Sequence, residues 1–327
     1  MAQLDFKGRV AIVTGAGRGM GRSHAVMLAS RGARVVVNDI SAEHGENPAD
    51  AVARQIREAG GQAVANHDSV VTGADKIVQA AIDAFGQVDI VVNNAGVGQA
   101  VSFAEVDPQE WQRVFEIHYY GTVRVTRAAW PHLVRSGSGR VVNTASSAML
   151  GNASQTSYGS AKGAIWSFTR SIAMEGEPHG ITAHSILPSA KTRLTENVQH
   201  PVIAAALDKY FQPEHVSALV VWLAHQHTQV NNESWQVSGG RAGRLTMAAF
   251  PTVRVGESTP EMWASKASDL MADGPLAPLR TLAEMFGNEL ADADPDIRRM
   301  LSGGSGGFDF RPAEGGKGWA VGAPTTS

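Results

Sequence analysis

The 327-residue chain contains no cysteine, which excludes disulfides, thiolate catalysis and metal sites built on cysteine ligands. It also lacks a strong excess of charge: its formal net charge is −3, so its charge balance indicates neither a nucleic acid nor an anionic membrane as partner. No apolar signal core follows the first methionine, and no run approaches the ~20 apolar residues of a membrane span. We therefore expect a soluble, cytoplasmic protein without membrane attachment.

The residues that are present have the composition of a globular protein, with 43% hydrophobic and 18% charged residues. Short apolar runs alternate with helical patterns along most of the chain. This alternation predicts an α/β fold: a Rossmann-type, doubly wound parallel sheet of about seven strands with helices on both faces. The predicted strands are 9–14, 34–39, 63–66, 88–92, 140–144, 181–187 and 234–237.

A glycine-rich run follows the first predicted strand and opens a helical pattern. Its sequence is Thr14-Gly15-Ala16-Gly17-Arg18-Gly19-Met20-Gly21. In this context the glycines permit close backbone approach, and the helix N-terminus offers N–H groups to a pyrophosphate. The predicted cofactor-binding residues here are Gly15, Gly17, Arg18, Gly19, Met20 and Gly21.

Asp39 ends the second predicted strand, 18 residues after Gly21. That spacing is near the ~20 residues expected for the acid that binds an adenine ribose. A carboxylate accepts hydrogen bonds from a free 2′-hydroxyl and repels a 2′-phosphate, so NAD is predicted and NADP is the less favoured cofactor. Arg18 could assist a phosphate, and a solvated loop aspartate is the alternative interpretation of Asp39.

Polar and small residues also follow the third and fourth predicted strands. Asp68 and Ser69 follow the third strand, and Asn94, Ala95 and Gly96 follow the fourth. Ligands gather at the carboxyl ends of open parallel sheets, so these five residues are further cofactor-binding candidates. For the second group, a tight turn is the alternative.

Tyr158 and Lys162 lie four residues apart and share one face of a predicted helix. A lysine cation beside a tyrosine lowers the tyrosine pKa from its reference value of ~10, which would permit proton exchange with an alcohol near neutral pH. An ordinary amphipathic pair is the alternative. Against it stand the glycine-rich run and a serine, Ser146, at the end of the fifth strand.

The combined motifs, Thr14-Gly15-x-x-x-Gly19-x-Gly21, Asn93-Asn94-Ala95-Gly96, Ser146 and Tyr158-x-x-x-Lys162, resemble the short-chain dehydrogenase/reductase family over residues 5–245. The resemblance implies that Ser146 binds the substrate oxygen, with Ser147 as the alternative, that Tyr158 is the acid/base, and that Lys162 assists it. It also implies that the enzyme uses no metal and that it assembles as a homodimer or homotetramer. It further implies that Tyr158, Lys162, Ala190, Thr192 and Arg193 contact the cofactor.

Within the family, residues 118–132 are similar to the (3R)-hydroxyacyl-CoA dehydrogenase unit of peroxisomal multifunctional enzyme type 2, also called 17β-hydroxysteroid dehydrogenase type 4. This likeness covers about residues 1–270. It implies a stand-alone enzyme that oxidises (3R)-3-hydroxyacyl-CoA to 3-oxoacyl-CoA with NAD in fatty-acid or sterol side-chain β-oxidation. The alternatives are a dehydrogenase of hydroxysteroids or other bulky secondary alcohols, and a catalytically silent NAD-binding protein.

His118 stands where most of the family has an asparagine that connects the lysine to a water chain. The resemblance therefore implies a catalytic histidine that holds a water, with activity falling on the acid side near an apparent pKa of about 6–7. The alternative is a packing role in a helix kink near Gly121. By composition we expect three regions: the dehydrogenase domain (1–245), a helical extension (246–300) and a mobile tail rich in Gly, Ser and Pro (301–327).

Overall fold

The computed structural model describes residues 3–40, 45–191, 201–279, 281, 282 and 285, and the backbone of 309–312 and 319–322. The chain divides into two compact units, Met1–Leu245 and Thr246–Ser327. Within the described ranges, no helix combines the length and the apolarity that a membrane span requires.

The first unit is built on one eight-stranded sheet in the order β3-β2-β1-β4-β5-β6-β7-β8. Its strands are β1 (Val10–Thr14), β2 (Arg34–Asn38), β3 (Gln62–Asn66), β4 (Ile90–Asn93), β5 (Arg140–Thr144), β6 (Thr182–Ser189), β7 (Ser234–Ser238) and β8 (Arg241–Leu245). Strands β1 to β7 pair in parallel, whereas β8 runs antiparallel to β7. The strand order reverses between β1 and β4, the position where open α/β sheets bind ligands.

Helices cover both faces of the sheet. They are α1 (Gly19–Ser30), α2 (Pro48–Glu58), α3 (Ala74–Phe85), α4 (Pro108–Phe115), α5 (Gly121–Ser136), α6 (Thr156–Gly176), α7 (Pro201–Tyr210) and α8 (Pro213–Ala224). Every residue of β1 and β5 is buried, as expected for central parallel strands with helices on both sides. The predicted fold class is confirmed, and each of the seven predicted strands begins and ends within two residues of the observed one.

The eighth strand was missed by the sequence prediction. Strand β8 reads Arg-Ala-Gly-Arg-Leu and is mostly exposed, so it carries no apolar alternation. A two-residue turn joins it to β7: Gly239 and Gly240 have φ of 51° and 75°. A two-residue hairpin turn of type I′ requires two consecutive residues with positive φ, and the Gly-Gly pair is the sequence signal for such a turn.

The sequence Asp107-Pro108-Gln109-Glu110 predicts the start of a helix that runs to about Arg135 with an interruption at Gly121. The structure has a π-helical turn at Glu116–Tyr120, between α4 and α5. Asp107 caps α4 by accepting a hydrogen bond from the Gln109 N–H at 2.7 Å, and Pro108 occupies its first turn. A Cβ on Gly121 would lie 2.7 Å from Cγ2 of Val70, so this glycine lets the helix approach the segment after β3.

The second unit contains the predicted helical extension, with α9 (Pro260–Ser265) and α10 (Ala267–Leu270). The sequence pattern predicts two helices in this extension, over 260–272 and 278–290, and the start of the second is wrong. Ala277–Leu279 forms strand β10, antiparallel to β9 (Met247–Ala249). A residue before proline favours extended backbone, which is consistent with this strand. In the tail, β11 (Asp309–Pro312) pairs with β12 (Trp319–Gly322), and its predicted mobility stays a prediction.

Candidate active site

The glycine-rich run forms the turn between β1 and α1. Gly15 and Gly19 have positive φ, and a Cβ on Gly21 would lie 2.1 Å from the carbonyl oxygen of Gly15. The N-cap residue, Arg18, makes no side-chain hydrogen bond to the helix. The first N–H groups of α1 therefore have no side-chain cap, and the turn has the space and the donors that a pyrophosphate requires.

A cleft of about 340 Å³ lies at the carboxyl ends of β1, β2, β3 and β4. Nine of the predicted cofactor residues line it: Gly15, Arg18, Gly19, Met20, Asp39, Ser69, Asn94, Ala95 and Gly96. The remaining predicted residues of the described part do not line it: Gly17, Gly21, Asp68, Tyr158, Lys162 and Ala190. Thr192 and Arg193 lie outside the described residues.

Asp39 is held at the edge of this cleft by the glycine turn. The Gly17 N–H donates a hydrogen bond to Oδ2 of Asp39 at 2.9 Å. A Cβ on Gly17 would lie 2.8 Å from that oxygen, so a side chain at this position would collide with the carboxylate. Asp68, in contrast, accepts a hydrogen bond from Nδ2 of Asn66 at 2.8 Å, which supports the loop from outside the cleft lining.

Asn94 ties the end of β4 to the glycine turn. Its Nδ2 donates to the carbonyl oxygens of Thr14 and Gly15, both at 3.1 Å. The N–H groups of Asn94 and Ala95 donate to Oγ1 of Thr14 at 3.0 and 3.1 Å. This network fixes the two strand ends that face each other at the topological switch point.

Ser146 and Tyr158 form the centre of a second group, at the carboxyl end of β5. Ser146 precedes a 3₁₀ turn (Ser147–Leu150), and its Oγ accepts from the Ala148 N–H at 3.2 Å. Burial raises the pKa of Tyr158, while a hydrogen bond with Ser146 acts in the lowering direction. The structure thus pairs Tyr158 with Ser146. The predicted lowering of the Tyr158 pKa by Lys162 is not observed, because desolvation of the phenolate is the largest effect.

Lys162 lies one helical turn after Tyr158 on α6 and is buried. Its Nζ donates to the carbonyl oxygen of Thr144 at 2.6 Å and lies 5.6 Å from the centroid of the Tyr158 ring. Burial lowers the pKa of Lys162 to about 7. An amine with a pKa near neutrality exchanges protons readily at working pH.

His118 lies in the π-helical turn and meets Tyr158 edge to face, with ring centroids 5.2 Å apart. Depending on the tautomer, its Nε2 donates to the Val97 carbonyl at 2.8 Å or accepts from the Val97 N–H at 3.0 Å. Burial and the Lys162 charge lower the His118 pKa to about 3. The predicted acid limb at pH 6–7 from His118 is therefore wrong, because desolvation keeps the imidazole neutral.

The His118 ring also explains a nearby glycine. A Cβ on Gly96 would lie 2.4 Å from Cε1 of His118, so the ring packs directly on bare backbone. The buried Nδ1 of His118 has no partner among the described residues. The predicted site residues Ser146, Tyr158, Lys162 and His118 are thus brought into one group.

The sequence prediction missed seven residues that line the cleft. Their common feature is that they flank the predicted positions or lie on the face of α4 and the π turn. They are Asn38, Ile40, Val70, Val71, Val97, Arg113 and Ile117. The helical spacing could have indicated two of them: Arg113 and Ile117 are four residues apart, so they share one helix face, and Ile117 directly precedes the predicted site residue His118.

Comparison with known proteins places these features in a family. Residues 9–202 match the family described as short chain dehydrogenase. The chain is 42% identical over 248 residues to the peroxisomal hydratase-dehydrogenase-epimerase of Saccharomyces cerevisiae, covering 74% of this chain and 27% of that protein. It is 40% identical over 268 residues to the peroxisomal multifunctional enzyme type 2 of Mus musculus, covering 79% of this chain and 36% of that protein. The chain therefore spans well under half the length of either relative.

Two solved structures have the same fold as this chain. A short chain dehydrogenase from Mycobacterium avium superimposes with a TM-score of 0.74 at 35% identity, covering 83% of this chain and 98% of that one. A 7α-hydroxysteroid dehydrogenase complexed with NADH and 7-oxo glycochenodeoxycholic acid superimposes with a TM-score of 0.67 at 29% identity, covering 73% and 98%. The resemblance to the multifunctional enzymes is confirmed, and the cofactor class of the family is NAD(P). The chain belongs to the short-chain dehydrogenase family and is an oxidoreductase that acts on CH–OH groups.

Proposed function

We propose that this protein oxidises a secondary alcohol with NAD, and that its preferred substrate is a (3R)-3-hydroxyacyl-CoA thioester. The observation that carries the proposal is the buried group at the end of β5. Tyr158 is hydrogen-bonded to Ser146, and Lys162 and His118 both lie against the Tyr158 ring. A tyrosine so placed, beside a nucleotide-sized cleft, has the position required of an acid/base for an alcohol oxygen.

In the proposed reaction, Tyr158 accepts the proton from the alcohol oxygen while Ser146 hydrogen-bonds that oxygen. The bound nicotinamide supplies the acceptor for the hydride that leaves the carbinol carbon. Lys162 stands next to Tyr158 with a pKa near neutrality, so its neutral amine takes up the proton that Tyr158 passes on when Tyr158 accepts the proton of the alcohol. Ser146 stabilises charge that develops on the oxygen.

Support for NAD as the cofactor comes from Asp39. Its carboxylate lines the cleft and is oriented by the Gly17 N–H. We expect kcat/KM to favour NAD over NADP, and Asp39→Ala to reduce that preference at least about tenfold, because repulsion of the 2′-phosphate is removed. Asp50, which pairs with His67 at 3.0 Å on the surface, is the matched control: Asp50→Ala should leave the preference unchanged. A native preference for NADP would contradict the assignment.

The substrate class rests on the relatives. One is named as a hydratase-dehydrogenase-epimerase and another as a multifunctional enzyme. The test compares kcat/KM with NAD for (3R)-3-hydroxyacyl-CoA, its (3S) epimer and free hydroxysteroids. The (3R) thioester should be the best of the three by at least about tenfold.

The second candidate is a hydroxysteroid or another bulky secondary alcohol, which the likeness to the 7α-hydroxysteroid dehydrogenase supports. A higher kcat/KM on a free steroid than on the thioester would select it. Absence of turnover with every secondary alcohol tested would select the catalytically silent NAD-binding protein instead.

We further propose a homodimer or homotetramer. Apolar and aromatic side chains are exposed on the helical surface of the first unit: Tyr120 is 41% and Met174 is 47% exposed. Light scattering at micromolar concentration should report a multiple of 34.5 kDa, and a monomer would contradict the proposal.

A cytoplasmic location stays a prediction, and the relatives described above are named as peroxisomal.

A further inference from the structure

A cation that the proposed chemistry does not use faces the cleft from α4. Arg113 lies one helical turn before Ile117, and both line the cleft together with residues of the glycine turn. Arg113 is 52% exposed, so its planar group is accessible from the cleft mouth.

Four branched aliphatic side chains line the same cleft: Ile40, Val70, Val71 and Ile117. Ile40 is 58% exposed, although it directly follows the polar Asp39. Aliphatic side chains in a cleft that also contains a carboxylate suit a flat aromatic ring that is attached to a sugar.

The guanidinium of Arg113 is paired with Glu110 through two hydrogen bonds. Nε donates to Oε2 at 2.8 Å, and Nη2 donates to Oε1 at 3.0 Å. This fork uses one edge of the guanidinium and leaves both of its faces and Nη1 outside the pair. A planar cation presented by its face stacks on aromatic rings, which a lysine ammonium cannot do in the same way.

We propose that Arg113 binds the adenine half of the cofactor by stacking its guanidinium on the purine in the cleft that Ile40 and Ile117 also line, with Glu110 as its positioning residue. The proposal rests on the proposed function, since it takes the cleft as the NAD site. It assigns Arg113 to cofactor affinity and not to the chemical step.

The test measures the dissociation constants of NADH, NADPH and reduced nicotinamide mononucleotide, which has no adenosine. Arg113→Ala should weaken NADH binding about 3- to 30-fold. It should leave the affinity for the mononucleotide nearly unchanged. In Arg113→Lys, less than half of the contribution of Arg113 to the free energy of NADH binding should remain, because an ammonium group has no planar face to stack on the purine. Glu110→Gln should weaken NADH binding less than Arg113→Ala does.

Arg124→Ala is the matched control. Arg124 pairs with Glu116 at 2.6 Å on the same helical segment and lies over Tyr120, but it does not line the cleft. It should leave all three affinities unchanged.

Three results would overturn the proposal: unchanged NADH affinity in Arg113→Ala, an equal loss for NADH and the mononucleotide, or a loss confined to NADPH, which would assign Arg113 to the 2′-phosphate. Failure of the wild-type protein to bind any of these nucleotides would instead reject the proposed function.

Discussion

Two buried cations lie near the opposite ends of β5, and their surroundings differ. At the beginning of the strand, the Arg140 guanidinium donates to the carbonyl oxygens of Gly139, Gly180, His225 and Gln226 at 2.6 to 3.1 Å. At the end of the strand, Lys162 donates to one carbonyl oxygen in the described part of the chain, that of Thr144.

Burial lowers the pKa of both groups, from 12.5 to about 10 for Arg140 and from 10.5 to about 7 for Lys162, so most of the difference between the final values is the ordinary difference between a guanidinium and an ammonium. A cation whose donors are nearly all paired stays charged and holds neighbouring segments together. A cation with few partners loses much of its hydration without replacement, so its proton becomes labile. Buried charge alone therefore does not identify a catalytic group: the ordinary pKa of the side chain and the hydrogen bonds that replace its hydration both decide whether it titrates near neutrality.

The largest effect is expected at the end of the strand where the chemistry is proposed. Tyr158→Phe removes the hydroxyl and little packing, so kcat should fall about 10²- to 10⁴-fold. NADH affinity, measured by fluorescence titration, should change little. Retention of more than about a hundredth of the activity would show that Tyr158 is not the acid/base.

At the other end of the strand, Arg140→Met should lower the free energy of unfolding by about 3–5 kcal/mol, because several buried carbonyl groups lose their donor together. Urea denaturation at pH 8 measures the change. NADH affinity of the fraction that remains folded should be close to that of the wild type. A loss of stability below about 1 kcal/mol would break the comparison, since Arg140 would then not be the structural member of the pair.

Lys162→Met should have the opposite effect on stability. The native pKa of about 7 lies below the ordinary value, so the unfolded chain binds more protons between pH 7 and about 10.5. Wild-type stability should therefore rise with pH across that window and be lowest below pH 7. The variant should lose this rise and be about 1–3 kcal/mol more stable at pH 6, while losing turnover. Equal pH slopes for the two proteins would contradict the low pKa.

The smallest effect concerns His118. Because its pKa is about 3, it stays neutral above pH 5, and an acid limb of kcat/KM near pH 7 should come from Lys162. His118→Asn should leave the position of that limb unchanged. Disappearance of the limb in this variant would show that His118 titrates near neutrality after all.

The strands, the glycine turn and Tyr158 could be predicted because local patterns determine them: buried apolar runs, a Gly-rich turn before a helix, and a four-residue spacing. The π turn and the position of Arg113 in the cleft involve packing between parts of the chain that are distant in sequence, such as Gly121 on Val70, and a local pattern does not show such packing. The pKa values of Tyr158, Lys162 and His118 could not be predicted for the same reason, since burial determines each of them.

The two attachments of β5 restrict how the chain can vary. Four residue steps, about 13 Å of extended backbone, separate Arg140 from the Thr144 carbonyl that holds Lys162. A single-residue insertion or deletion in this strand would turn that carbonyl to the opposite edge and separate the strand from one of its cations. Length changes should be tolerated instead in the exposed loop around Gly151–Ser154, after the strand has ended. Natural variation in substrate size within this architecture should therefore accumulate there, while β5 keeps its length.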